Sequence, residues 1–259
     1  MLGKLIGVAV EVSLFFNILM ALGVGASPGK LELFATPGET LVTDEITLLN
    51  PDNFGKTITI SPKLRSDQKG IPILPSAEWV RIIPNKVTLK PLEKDVKVRM
   101  EIFVPDSQIY YNRNFAFEVD IRQSGNGAYA AGIIIPVLLT TQSSRHIPEK
   151  CPGCIANIYP NKLVIKSHLD SVCVVNWTDD TLNFKIGWNE PGQIGWQQAL
   201  LLMERIMGTS VPIKNSFTLL PKEKKKIFIK PLAYPGKGKL YFSTDEGIKI
   251  FLWLEWGQL

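Results

Sequence analysis

Cys151-Pro152-Gly153-Cys154 is the one segment of this 259-residue chain whose residue types and spacing match a chemical motif. A C-x-x-C pair can lower the pKa of one thiol and shuttle a disulfide. Redox enzymes set such a pair at a helix start inside a βαβ unit, whereas here it lies in a linker between stretches of β-type sequence. The same two cysteines, with Cys173 and either His168 or His146, could instead offer four ligands to a tetrahedral metal site. That spacing permits a metal without specifying one. The third alternative is structural. An exported protein tends to oxidise its thiols, and one bridge among three cysteines leaves one free. Cys154 to Cys173 would pin the linker to a strand of the second half, and Cys151 to Cys154 would close only a small loop. Cys173 stands between Val172 and Val174, which also fits a simple buried thiol.

Other chemistry finds little support. The chain has 2 His, neither near a Ser or Cys nucleophile motif, and no G-x-S-x-G, phosphate loop or dinucleotide fingerprint. Pro235-Gly236-Lys237-Gly238-Lys239 is too short for a phosphate loop and reads as a turn between strands. The carboxylate pairs Asp179-Asp180 and Asp245-Glu246 fall in expected hairpin loops, as solvated turn residues. Asn176-Trp177-Thr178 is a glycosylation acceptor only if the host glycosylates exported protein. The expectation is a protein that is not an enzyme, with no cofactor and no metal.

The elements that would position these residues are strands. A frame N-x-[VF]-T-L-x-P-x-E-K occurs at Asn85 to Lys94 and again at Asn215 to Lys224. A second pair, Leu48-Leu49-Asn50 and Val174-Val175-Asn176, lies upstream of each. One short loop insertion or deletion reconciles the two offsets, so the chain reads as two copies of one all-β unit. Residues 1–26 read as a signal peptide: Lys4, an apolar run through Leu22, then Val24-Gly25-Ala26 as a cleavage site before Ser27. Period-two alternation and frequent turns place a first immunoglobulin-like sandwich at 27–141, a linker at 142–153 and a second sandwich at 154–259. The expected location is periplasmic or secreted, with membrane contact only through an uncleaved signal segment.

Two features interrupt this regularity. Between Gln193 and Met207, apolar residues fall at helical spacing and stop at Gly208. This predicts one short helix inserted in the second domain. It caps the sandwich or, through Trp196, Leu200, Leu201 and Met203, meets a partner. The net charge is +5, with one local cluster at Lys222, Lys224, Lys225, Lys226 and Lys230. The cluster reads as a solvated strand edge, where Lys discourages sheet-to-sheet association. No aromatic platform accompanies it, and nucleic acid is not an expected partner. The last strand is apolar on both faces, with Phe251 and Trp253 on one and Ile250, Leu252 and Leu254 on the other. Something must cover it.

Trp79 to Val104 and its shadow, Asn215 to Ile229, resemble the middle strands of the two-domain immunoglobulin-like periplasmic chaperones of pilus assembly and their looser periplasmic and surface relatives. The resemblance implies binding of another exported protein, such as a pilus or surface subunit, through the last strand of the first domain by β-strand addition. The matching segment is Gly132 to Leu139, and Ile133, Ile135, Val137 and Leu139 are the expected contact set. The family's charged anchors for a terminal carboxylate are missing: no Arg stands in Leu31 to Phe34 and no Lys between Asn126 and Ser144. The alternatives are a structural envelope module and a thiol-redox or metal protein built on the Cys-Pro-Gly-Cys linker.

Overall fold

Alternation sends one side of each strand into a core. In β7 (Val96–Phe103), Val98, Met100 and Ile102 are buried while Lys97 and Arg99 are exposed. The structure, a computed structural model, describes residues 23–65, 69–124, 132–144, 153–166, 168–189, 196–232 and 236–257. These form four sheets. One comprises β1 (Gly25–Ser27), β3 (Thr40–Leu49), β7 and β5 (Val80–Ile83), in that order. Facing it, in order, are β2 (Leu31–Ala35), β9 (Gly132–Thr141), β8 (Asn114–Ser124), β4 (Lys56–Lys63) and β6 (Lys86–Leu89). Phe117, Val119, Ile46 and Leu48 lie in the core between them.

The second half repeats the plan. Its first sheet runs β10 (Ala156–Tyr159), β12 (Asp170–Asn176), β17 (Lys224–Pro231), β14 (Leu200–Ile206) and β15 (Thr209–Pro212). Its second runs β11 (Lys162–Ile165), β19 (Lys249–Trp256), β18 (Gly236–Ser243), β13 (Leu182–Asn189) and β16 (Ser216–Leu219). Phe184, Leu240 and Phe242 lie in this core. Strand for strand the orders coincide, with β15 added in the second. In each half the first strand changes sheets, and its later part pairs in parallel with the last strand: β2 with β9, β11 with β19. Two immunoglobulin-like sandwiches stand in tandem.

The repeat persists to single atoms. Asn50 Nδ2 donates to Phe54 O at 2.7 Å and Lys90 O at 2.8 Å; Asn176 Nδ2 donates to Asp180 O at 2.7 Å and Leu220 O at 2.9 Å. The Glu of each frame accepts from a backbone N–H three residues before it: Glu93 from Lys90 at 2.7 Å, Glu223 from Leu220 at 2.6 Å. Between them Leu92 and Lys222 take left-handed backbone, at φ 57° and 58°. The frame's Leu89 and Leu219 are fully buried. The motif is thus a turn that locks β6 to β7, and β16 to β17, against the preceding hairpin.

Three expectations change. The inserted helix is a single turn, α1 (Trp196–Ala199); the rest of that segment is β14. Leu200 and Leu202 enter the core while Leu201 and Met203 are half-exposed, a period of two. β17 needs a neighbour on that side, as β7 has β5, and its register Leu200↔Pro231 to Glu204↔Ile227 overrides the local helical spacing. Second, the lysine cluster is no edge: β17 runs between β12 and β14. Third, Val24 is buried, and Gly25 and Ala26 pair with Leu49 and Leu48, so the residues before Ser27 contribute to β1. A Cβ on Gly25 would fall 2.4 Å from Leu49 Cγ, which is why glycine stands there. No helix among the described residues is long and apolar enough to cross a membrane.

The halves meet through a third apolar cluster. Ile71, Ala116 and Leu138 of the first pack on Phe251 of the second, with Tyr241 and Trp253 alongside. Arg113, fully buried at the hinge, donates from Nε to Ile109 O at 2.8 Å and from Nη1 to Tyr159 Oη at 2.9 Å.

Candidate functional site

β9 is covered on one side throughout by β8, from Gly132↔Arg122 to Thr140↔Asn114. Its other side is covered only in part. The parallel ladder with β2 begins at Leu31↔Val137 and ends at Ala35↔Thr141. Gly132 to Pro136 therefore form an open strand edge among the described residues. Ile134 on this edge is 47% exposed, and Gly132 and Pro136 are exposed with it. Pro136 lacks an N–H, so it blunts the edge without leaving an unpaired donor.

The second half shows what such an edge accepts. β19 also extends beyond its parallel partner, whose ladder begins at Lys162↔Trp253. There the first half covers it. Lys249 N donates to Lys69 O at 2.9 Å, and Asn114 Nδ2 donates to Phe251 O at 3.5 Å. Gly70 makes the approach possible: at φ +90°, its Cβ would meet Lys249 N at 2.9 Å and Ile248 Cγ2 at 2.8 Å. Core-facing positions align Ile133, Ile135 and Val137 with Ile250, Leu252 and Leu254, so Gly132 matches Lys249 and Ile134 matches Phe251. Phe251 is buried against the first half. Ile134, its counterpart, is open.

The expected contact set lies elsewhere. Ile135, Val137 and Leu139 are fully buried in their own sandwich, and Ile133 packs against the same core. Both faces of β9 are apolar, so sequence did not tell which face the core takes; the outward residue of the open half is Ile134. The other expected surface also disperses. Leu200 is in the core, Leu201 and Met203 lie half-exposed on β14, and the side chain of Trp196 lies outside the described residues.

Beside Ile134 on the outer face, Asp120 is its cross-strand neighbour. Lys63 Nζ and Arg122 Nε bind it at 2.6 and 2.7 Å. Burial pushes its carboxyl up, but these two hydrogen bonds and charges bring it below the usual carboxylate range. At the junction Glu32 of β2 pairs with Lys239 of β18. Burial alone would raise the Glu32 carboxyl, yet Lys239 and Lys30 hold it low. Burial lowers the Lys239 ammonium against the pull of Glu32. This pair, with Phe34, Lys162 and Trp253, lines a cavity of 440 Å³ between the halves.

Cysteine chemistry does not converge. Cys154 is disulfide-bonded and Cys173 is free, so the Cys154–Cys173 bridge does not form. Cys151 and His146 lie outside the described residues. Burial pushes the Cys173 thiol up, against the opposing charges of Lys224 and Lys226, which leaves it a poor nucleophile. Among the described residues no group of three His, Cys, Asp or Glu stands together to hold a metal.

No protein-family model matches the chain, and no curated protein matches it in sequence. Some solved structures are similar to it. The class 5 fimbriae chaperone CfaA is 11% identical over 92% of this chain and 100% of its own, at a TM-score of 0.38. The Pseudomonas aeruginosa CupB2 chaperone is 12% identical over 90% and 100%, at 0.34. The PapD-like domain 7 of human CEP192 is 13% identical over 48% and 89%, at 0.37. The chain is similar to these two chaperones and to this PapD-like domain.

Proposed function

We propose that this chain is a non-enzymatic, chaperone-like protein of the periplasm or cell exterior that binds an extended segment of another exported protein along Gly132–Pro136. The observation that carries the reading is the difference between the two halves. The same half-open last strand is sealed in the second sandwich by Lys69, Gly70 and Asn114 and, among the described residues, left open in the first. A partner strand there would gain main-chain hydrogen bonds, and Ile134 would be its apolar contact. A pilus or surface subunit is the concrete form of partner this proposal takes.

The test places a photo-crosslinker at Ile134 in the native host. One exported protein crosslinked through a short segment is the expected result, and with the crosslinker moved to the exposed Pro136 its capture should be lost on Ile134→Asp. Crosslinks within the chain alone would remove the docking role and leave a structural module, which the tightly packed junction between the halves favours as the second reading.

A further inference from the structure

The outer face of the second sandwich's first sheet carries cations that no described carboxylate neutralises. Lys224, Lys226 and Lys230 of β17 and Arg205 of β14 are all exposed. Arg205 and Lys226 lie over the ring of Phe228, at 5.2 and 5.0 Å from its centre. Phe228, Met203 and Leu201 are half-exposed among them. None of the four cations pairs with a described carboxylate. The nearby Glu204 and Glu223 are both taken by Lys225, at 3.1 and 3.9 Å.

The hairpin of β14 and β15 adds an independent anomaly. Its turn is Met207–Gly208, with φ 49° and 84°. Two positive φ values suit Asn-Gly, and a long apolar side chain is disfavoured at the first of them. Met207 is nonetheless there, 101% exposed, beside Ile206 at 48%. Backbone strain and solvated apolar surface coincide at one tip, and strain of this kind collects where function holds it in place.

We infer that this face and tip dock on an anionic phospholipid surface. The four cations meet headgroup phosphates, and Ile206 and Met207 enter the acyl boundary. Cations alone would serve an acidic protein equally well. The fully exposed Met207, two residues beyond Arg205 at the tip of the same hairpin, is what selects a bilayer, because burial in lipid is what an acidic, hydrated partner cannot supply.

The test uses the full chain with an environment-sensitive fluorophore at Met207→Cys in a Cys173→Ser background. It is mixed with phosphatidylcholine vesicles, with and without phosphatidylglycerol. The probe reports the tip itself, so any partition of the apolar residues 1–22 leaves it unmoved. A blue shift with phosphatidylglycerol only, weakened by salt and quenched by a lipid-borne quencher, is expected. Lys226→Glu with Lys230→Glu should weaken it about tenfold or more. In the unlabelled chain, Met207→Asn suits the turn and keeps the fold while reducing vesicle co-sedimentation. Three results would overturn the inference: a probe that stays in water, a shift indifferent to lipid charge, or a shift produced by soluble polyglutamate and not by vesicles, which would assign the face to an acidic protein.

Discussion

Asn50 and Asn176 show how one residue type carries the same duty twice. Each Nδ2 bridges a hairpin carbonyl and a carbonyl of the following frame, and each Oδ1 accepts a backbone N–H two residues on, Asp52 N at 3.1 Å and Thr178 N at 2.9 Å. Truncation removes these side-chain hydrogen bonds to each turn and empties a buried site, so Asn50→Ala and Asn176→Ala should each cost about 1–2 kcal/mol in denaturant unfolding. Asn176 also begins an N-x-T sequence, but it is fully buried. Asp120 gives a pH signature. Its folded pKa is depressed, so its stabilisation is complete above the unfolded carboxylate pKa and fades as pH falls through the lower, folded value. Asp120→Asn should therefore cost about 1 kcal/mol at neutral pH, the exposure of its cations limiting the effect, and almost nothing in strong acid.

At the scale of elements, the two faces of β9 separate stability from binding. Ile135→Asp would bury an unpaired carboxylate in a closed core and should cost about 4 kcal/mol or more. Ile134→Asp, on the solvent side, should lower stability far less, only through the like charge of Asp120 across the strand, and should abolish crosslinking from Pro136 to a partner. The strand itself was legible in sequence, and so was its apolar character on both faces. Its inward face was not, because periodicity fixes alternation and leaves phase to the neighbouring sheet. The segment from Gln193 fails for a related reason. Trp196, Ala199, Leu200, Met203 and Ile206 satisfy a helical period, yet Leu200-Leu201-Leu202 serve equally as a strand, and the vacant side of β17 decides. The turn frames were legible because they lock backbone geometry locally, with left-handed residues at matching places.

Across the whole molecule, duplication was visible from two short frames, and the consequence of duplication was not. The sandwiches repeat strand order, but their half-open last strands meet different fates, since only one finds the loop at Lys69 and Gly70. That asymmetry depends on residues far apart in sequence and on no shared motif. Gly70→Ala should disturb the junction, both by its positive φ and by the close approach to Lys249, costing about 1–3 kcal/mol and lengthening the particle in solution scattering.

Because Lys69 to Pro72 seal an edge of their own chain, the first sandwich is in effect a tethered ligand of the second. Tethered ligands can be exchanged. Two copies whose hinges open together could each lend this loop to the other and recover every contact, closing a twofold, reciprocally swapped dimer. Refolding at high protein concentration should yield such a species by size-exclusion chromatography, and a disulfide engineered across the Lys69–Lys249 contact should suppress it.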